Sequence, residues 1–269
     1  MRQQGHKAIG VFDSGVGGLT VLKALMARLP GESTVYLGDT ARVPYGTKSA
    51  DVVTRYSVQN AKFLIEQDIK LLVVACNTAS AVALPALSKE LKIPVVGVIA
   101  PGAQAAALKT RNRKVAVIGT PGTIKSGAYQ RELEAACPGV SVIGRPCPMF
   151  VPLAEEGWTD GEIARLAAER YLGELRSVGV DTLVLGCTHY PLLKSVISQV
   201  MGPEVSLVDS AEATVELVAR QLEADPTPPS GAEVTHRYFV TDVPDRFLEV
   251  APRFLGRLVE HAEQVDIRF

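Results

Sequence analysis

The sequence predicts an α/β protein with two similar halves, each a mostly parallel sheet flanked by helices, with a ligand site in the cleft between them. Short apolar, β-rich runs alternate along the chain with segments of helical periodicity. The strand-like runs are apolar throughout, which is typical of parallel strands covered on both faces. Related strands also recur at a nearly constant spacing, so one half resembles the other.

The first half contains apolar strands separated by helical segments. These strands are predicted at Ala8–Phe12, Ser33–Leu37, Lys70–Ala75 and Pro94–Ile99. After the first strand, apolar residues recur at steps of three and four from Leu19 to Leu29 and so form one face of a helix. Residues 49–67 are predicted as the next helix, and an alanine-rich segment that ends near Leu91 as the third.

The strand pattern restarts in the second half, at Val115–Ile118, Thr182–Leu185 and Val205–Val208. A tail from about Ala211 then contains a helical pattern, a proline-rich loop at 225–230, a strand at His236–Thr241 and a last helix from Pro244. We expect this tail to pack on the first half. The predicted domains are therefore residues 1–98 together with 209–269, and residues 99–208.

The internal repeat depends on three matched strands. The strand that ends at Phe12 resembles the one that ends at Ile118, and the run before Cys76 resembles the run before Cys187. The strands near Val95 and Val205 match at a similar separation. The alternative explanation for these matches is that all parallel strands have similar sequences, without any internal repeat. It does not account for a cysteine at the end of the equivalent strand in both halves.

The composition argues against several function classes. With 269 residues and 47% hydrophobic content, the chain can bury a sizeable core. Its formal net charge of −1 argues against nucleic acid as a primary partner and against a membrane surface. The most apolar stretch, Leu71–Leu87, is interrupted by polar residues and a proline, so no membrane span is expected. Four cysteines without an export signal predict reduced thiols and a cytoplasmic location.

Polar loops follow the predicted strands, at the edge where open α/β sheets bind their ligands. The glycine-rich loop Asp13–Gly18 opens a helix, and its N–H groups suit a small anion; a dinucleotide site and a structural turn are the alternatives. Gly119–Thr123 is a similar loop with hydroxyls at Thr120 and Thr123, and Val43–Gly46 is a turn with free N–H groups. Asp39 ends the second strand, where either a capping or a binding role fits.

The cysteines at the matched strand ends form the strongest candidate site. The segments Cys76-Asn77-Thr78 and Cys187-Thr188-His189 each place hydroxyl, amide or imidazole groups beside a thiol. An imidazole close to a thiol can hold or exchange its proton. Because a lone cysteine is usually a small core residue, Cys137 and Cys147 are predicted to be structural. No Cys-x-x-Cys or histidine pair has zinc-ligand spacing, so no metal is expected.

A set of motifs resembles the bacterial glutamate racemases of the aspartate/glutamate racemase superfamily. The motifs are Asp13-Ser14-Gly15-Val-Gly17-Gly18, Gly38-Asp39-Thr40-Ala-Arg-Val-Pro44-Tyr45-Gly46, Ala75-Cys76-Asn77-Thr78, the loop Phe150–Gly157 with Glu155, and Leu185-Gly186-Cys187-Thr188-His189-Tyr190-Pro191. They occur in the family's order and cover the chain from about residue 8 to 215. Beyond about residue 215 the resemblance is weak.

The resemblance implies a cofactor-free racemase that interconverts L- and D-glutamate and supplies D-glutamate for peptidoglycan. It implies that Cys76 takes the proton from D-glutamate with help from Asp13, and that Cys187 takes it from L-glutamate with help from His189 and Glu155. A homodimer is possible, although dimer geometry varies within the family. The predicted substrate-binding residues are Asp13, Ser14, Asp39, Pro44, Tyr45, Gly46, Cys76, Asn77, Thr78, Thr120, Thr123, Cys187, Thr188 and His189.

Two opposed thiols suit the inversion of a carbon centre. A single base that returns its own proton to the same face regenerates the starting enantiomer, so a second group must act on the other face. The rival hypotheses are another amino-acid racemase of the superfamily, above all one for aspartate, a non-catalytic two-lobed amino-acid binding protein, and a thiol redox protein. A binding protein does not need a thiol in each lobe, and a redox pair is usually close in sequence.

Overall fold

The computed structural model describes residues 7–223 and 233–267. Within them the strands are β1 (Ala8–Asp13), β2 (Thr34–Gly38), β3 (Ile69–Val74), β4 (Val95–Gly97), β5 (Lys114–Gly119), β6 (Ser141–Pro146), β7 (Thr182–Gly186), β8 (Ser206–Asp209), β9 (His236–Val240) and β10 (Glu263–Gln264). The helices are α1 (Leu19–Arg28), α2 (Ala50–Glu66), α3 (Asn77–Val82), α4 (Leu84–Glu90), α5 (Ile99–Lys109), α6 (Pro121–Lys125), α7 (Ala128–Ala136), α8 (Phe150–Glu155), α9 (Gly161–Val178), α10 (Lys194–Met201), α11 (Ser210–Glu223) and α12 (Pro244–Leu255). The predicted proline-rich loop at 225–230 lies outside the described residues.

The strands form two sheets, and the predicted α/β fold is confirmed. One sheet has the order β10-β9-β2-β1-β3-β4 and the other the order β6-β5-β7-β8. Neighbouring strands are parallel in both sheets. In chain order, the second sheet repeats the arrangement β2-β1-β3-β4 of the first, so β3 corresponds to β7. The topology therefore supports the internal repeat, while the domain boundaries stay a prediction.

The tail returns to the first half, as expected. Strand β9 pairs with β2 from Thr34 opposite His236 to Gly38 opposite Val240. Strand β10 pairs with β9, and α12 packs against α1. The tail therefore widens the first sheet and covers one of its helices.

Three features differ from the sequence-based expectations. The alanine-rich helix is broken at Ala83 into α3 and α4, because Pro85 has no N–H to donate to the preceding turn. Strand β4 ends at Gly97, and Ile99 begins α5 instead. Strand β6 gave no apolar signal, because it is an edge strand whose residues are all exposed or half-buried.

Apolar side chains cover both faces of each sheet, as parallel sheets require. One core cluster consists of residues of the first sheet and its helices, and another belongs to the second half. A third cluster contains residues of both halves, from Ile9 and Leu22 to Val117 and Val184. The halves therefore share a packed interface that holds their strand ends close together. Across 7–223 and 233–267, no helix combines the length and apolar character that a membrane crossing needs.

Candidate active site

The two matched cysteines line the same cavity between the halves. Its volume is about 230 Å³. Cys76 follows β3, Cys187 follows β7, and the rest of the wall comes from the loops after β1, β2 and β5 and from α8. The lining residues are Ser14, Gly15, Val43, Pro44, Tyr45, Gly46, Cys76, Asn77, Thr78, Thr120, Val151, Glu155, Cys187, Thr188 and His189.

Cys76 lies at the beginning of α3, and its sulfur caps that helix. The N–H of Ala79 donates to Cys76 Sγ at 3.5 Å, and the thiol donates to Ser14 Oγ at 3.5 Å. Burial, followed by the nearby charge of Asp13, raises the pKa of Cys76 to about 12. The N–H of Ala79 and the hydroxyl of Ser14 can both donate to a thiolate at this position, and this opposes the rise without reversing it. In the free protein, Cys76 is therefore a protonated thiol at neutral pH.

Asp13 is buried behind the cavity wall, next to Cys76. Its Oδ2 accepts the N–H of Gly15 at 3.0 Å, and the Thr188 hydroxyl donates to Oδ1 at 3.5 Å. Burial raises the pKa of Asp13, while the charge of His189 and the loop N–H groups oppose that rise. The N–H groups of the glycine-rich loop thus point at the carboxylate of Asp13. That carboxylate takes the place of the small anion that the glycine pattern predicts.

The same loop also touches the second half, and one of its glycines permits this contact. A Cβ on Gly17 would overlap Thr188 Oγ1 and His189 Nδ1. Only glycine lets the backbone come so close to the loop that carries Cys187. The Thr20 hydroxyl adds a hydrogen bond of 3.1 Å to the Thr188 carbonyl.

Cys187 faces an imidazole that is held in turn by a carboxylate. Cys187 Sγ lies 3.8 Å from His189 Nδ1, and His189 Nε2 lies 2.9 Å from Glu155 Oε1. Burial lowers the pKa of His189, but the hydrogen bonds and charges of Cys187 and Glu155 outweigh it and raise the pKa to about 10. Burial pushes the pKa of Glu155 upward, while His189 and Arg246 together hold it below its usual range. At neutral pH, His189 and Glu155 therefore form an imidazolium–carboxylate pair.

A cluster of hydroxyls joins the two halves at the cavity wall. Thr78 Oγ1 lies 2.8 Å from Thr120 Oγ1 and 3.1 Å from Thr123 Oγ1. Beside it, the Tyr129 hydroxyl donates to Asn77 Oδ1 at 2.7 Å, which fixes the orientation of the amide. Asn77 Nδ2 is buried and has no hydrogen-bond partner among the described residues. A buried donor without a partner is costly, so this N–H group is available to a ligand oxygen.

Asp39 supports the Val43–Gly46 turn from behind. Arg42 Nε donates to its two carboxylate oxygens at 2.9 and 2.8 Å, and the Tyr45 hydroxyl also donates to it. Asn60 and Thr241 provide further donors at 3.3 and 3.0 Å. Asp39 is fully buried, so its oxygens serve the protein and hold Tyr45 in place.

Most of the predicted substrate-binding residues line the cavity, and three lie behind its wall. Asp13, Asp39 and Thr123 do not line it, but each contacts a residue that does. Val43 and Val151 also belong to the wall, as does Gly15, and none of the three is among the predicted substrate-binding residues. An apolar residue next to a polar motif gives no sequence signal that separates a cavity wall from a core. Among the described residues, no three His, Cys, Asp or Glu side chains are placed to hold a metal ion.

Comparison with known proteins finds a family and many relatives. The family model for Asp/Glu/Hydantoin racemase matches residues 16–218. The glutamate racemase of Geobacter metallireducens is 60% identical over 262 residues, which are 97% of each chain. Among solved structures, a glutamate racemase of Bacillus anthracis superimposes with a TM-score of 0.93 at 40% identity. One from Francisella tularensis in complex with D-glutamate has a TM-score of 0.90 at 39% identity. Each structure covers 97% of this chain, and 98% of its own length is matched.

Proposed function

The chain belongs to the Asp/Glu/Hydantoin racemase family, as one of its bacterial glutamate racemases and hence an isomerase, and we propose that it inverts glutamate by proton transfer between two thiols. In the L-to-D direction, the Cys187 thiolate takes the α-proton and the C–H electron pair stays on the α-carbon. Cys76 then gives its S–H proton to the opposite face of that carbon. The product is D-glutamate with a Cys187 thiol and a Cys76 thiolate, and the reverse direction starts from that form.

The single observation that carries this proposal is that both matched strand ends bring a thiol to one cavity. Two equivalent elements of a repeat reach the ligand from opposite halves, which suits proton transfer at opposite faces. The two thiols also have different charged neighbours. Cys76 lies near the carboxylate of Asp13 and keeps its proton, whereas Cys187 Sγ lies 3.8 Å from Nδ1 of the His189 imidazolium.

The main chemical difficulty is the weak acidity of the α-hydrogen. General acid–base catalysis supplies only roughly 10²–10⁴-fold, so the remaining acceleration must come from orientation and from stabilisation of the carbanion. The cavity offers neutral donors for this purpose, including Asn77 Nδ2 and the hydroxyls of Ser14 and Thr78. Among the described residues that line the cavity there is no lysine or arginine. The two carboxylates of glutamate would therefore be held by hydrogen bonds rather than by ion pairs.

The biological role that fits is the supply of D-glutamate for peptidoglycan in the cytoplasm. The reaction as proposed needs no cofactor, because the thiols carry the proton and the electron pair never leaves the substrate. An aspartate racemase and a non-catalytic binding protein are the alternatives.

The test is exchange of the α-hydrogen in D₂O with purified protein and no added pyridoxal phosphate, metal or ATP. We expect exchange and racemisation of both D- and L-glutamate, with much slower reaction of L-aspartate as the control. A requirement for pyridoxal phosphate, or loss of activity on chelation, would contradict the mechanism. Comparable rates with aspartate would favour the broader amino-acid racemase, and binding without exchange would favour the binding protein.

A further inference from the structure

Helix α12 connects the first half of the molecule to the Cys187 site of the second half. It follows β9 of the first sheet and packs against α1. Its buried face consists of Phe247, Val250, Ala251, Phe254 and Leu255. The C-terminal end of that face reaches the pair His189 and Glu155.

Two neighbouring residues of α12 contact this pair directly. The ring of Phe254 lies 5.1 Å from the imidazole of His189, with an angle of 79° between the ring planes. Arg253 Nη1 donates a hydrogen bond to the backbone carbonyl of Glu155. Its guanidinium lies against Gly157, which has a φ of +76° at the turn after α8. A side chain at that glycine would be strained.

These contacts restrain His189 and Glu155 from residues that do not line the cavity. Glu155 is the last residue of the short helix α8, and its side chain is 38% exposed. The hydrogen bond from Arg253 to its backbone carbonyl holds this end of α8 in place. His189 has polar partners at both ring nitrogens, while Phe254 packs on it as a buried aromatic neighbour. Without that ring, the imidazole could turn away from Cys187 Sγ.

We propose that Arg253 and Phe254 are positioning residues for the His189–Glu155 pair, and that they control the proton transfers at Cys187 without affecting those at Cys76. The inference rests on the proposed two-thiol function. Neither residue touches the substrate cavity, and both lie beyond residues 16–218, the segment that the family model matches. The C-terminal end of α12 thereby takes part in the chemistry of the Cys187 side only.

The test compares two substitutions on α12 with matched substitutions elsewhere in the tail. The variants Phe254→Leu and Arg253→Gln remove the two contacts. The control Phe239→Leu changes another buried phenylalanine of the tail, which lies on β9 and packs on Phe63. The control Arg257→Gln changes an exposed arginine that bonds to Met26 and Tyr238. For each variant, kcat/KM and the primary isotope effect are measured with α-deuterated L- and D-glutamate.

We expect both test variants to lose kcat/KM by about tenfold, equally in the two directions, because a small misplacement of a catalytic group is costly. Slower transfer at Cys187 makes that step limit the rate. The isotope effect should therefore rise with deuterated L-glutamate and fall with deuterated D-glutamate. Both controls should keep the wild-type isotope effects, even where Phe239→Leu lowers stability.

Isotope effects that stay at wild-type values in Phe254→Leu and Arg253→Gln would overturn the inference, since a purely structural contact changes only the amount of folded protein. A shift of the opposite sign would also overturn it, because that result assigns α12 to the Cys76 side. Arg253 is exposed, so Arg253→Gln keeps the test decisive if Phe254→Leu does not fold. A wild-type protein that does not racemise glutamate would instead overturn the proposed function, and that is measured before any variant.

Discussion

The two thiols of the cavity follow equivalent strands but have different neighbours. Cys76, after β3, caps a helix and lies near the hydroxyl of Ser14 and the buried carboxylate of Asp13. Cys187, after β7, is followed by a 3₁₀ turn at Tyr190–Leu193 and faces the imidazole of His189. The repeat of the sheet thus explains where the sulfurs lie. The charged groups beside them belong to side chains that the repeat does not share.

This difference means that the resting protein is not symmetric toward its two substrates. With the pKa of Cys76 raised to about 12 and that of His189 to about 10, the favoured form has a proton on Cys76 and a cation beside Cys187. In the proposed mechanism this is the form that accepts L-glutamate. D-glutamate requires the form with a thiolate at Cys76 and a thiol at Cys187, and each L-to-D turnover produces that form.

The largest expected effect comes from the replacement of either thiol, in Cys76→Ser and in Cys187→Ser. A hydroxyl is a much poorer base than a thiol, so kcat/KM should fall by about 10³-fold or more in each variant. Enantiomers have an equilibrium constant of one, so the loss must be equal toward L- and D-glutamate. The two variants should instead differ in their isotope effects. Cys76→Ser should raise the effect with α-deuterated D-glutamate and lower it with L-glutamate, and Cys187→Ser should do the reverse.

Isotope effects that move in the same direction in both variants would contradict the assignment of the two faces. Wild-type activity in either variant would contradict the two-thiol mechanism itself. Circular dichroism of each variant provides the control for correct folding.

The repeat and the polar loops could be predicted from the sequence, because apolar runs and polar strand ends are local features. The contacts of α12 with His189 and Glu155 could not. Phe254 on the apolar face of a helix is indistinguishable from any core residue, and Arg253 from any solvated charge. Only the tertiary fold shows that they contact His189 and Glu155. For the same reason, the sequence leaves the role of Asp39 open between capping and binding, and only the structure shows its oxygens accepting from donors such as Asn60 and Thr241.

A second, smaller effect concerns the charge around Cys76. Burial and Asp13 raise the pKa of its thiol, so only the small thiolate fraction reacts with an alkylating agent. We expect the alkylation rate of Cys76 in the substrate-free protein to rise about tenfold per pH unit from about pH 7 to pH 9, without a plateau. Mass spectrometry of the peptide that contains Cys76 measures this rate separately from the other thiols.

Substitutions at the two neighbours of Cys76 should move that rate in opposite directions. Asp13→Asn removes a negative charge that disfavours the thiolate, so alkylation should be several-fold faster at each pH. Ser14→Ala removes a hydroxyl that can donate to the thiolate once Cys76 has lost its proton, so alkylation should be slower. A plateau below about pH 9 in the wild type would show that Cys76 is already ionised, and the contrast between the two sites would then fail.

The smallest expected effect comes from a thiol that lies outside the matched pair. Cys147 is fully buried in the core cluster of the second half, and burial raises the pKa of its thiol well above the usual range. Its Sγ contacts the carbonyl of Arg145 at 3.5 Å, and it does not line the cavity. Cys147→Ala should therefore lower the free energy of unfolding by about 1 kcal/mol through lost packing, and denaturant titration measures this loss. The kcat/KM values and isotope effects should stay within about twofold of wild type, because a buried thiol that does not line the cavity cannot pass its proton to a substrate there. A tenfold loss of activity in a stably folded Cys147→Ala protein would show that a third sulfur takes part, and the comparison of two sites would have to include it.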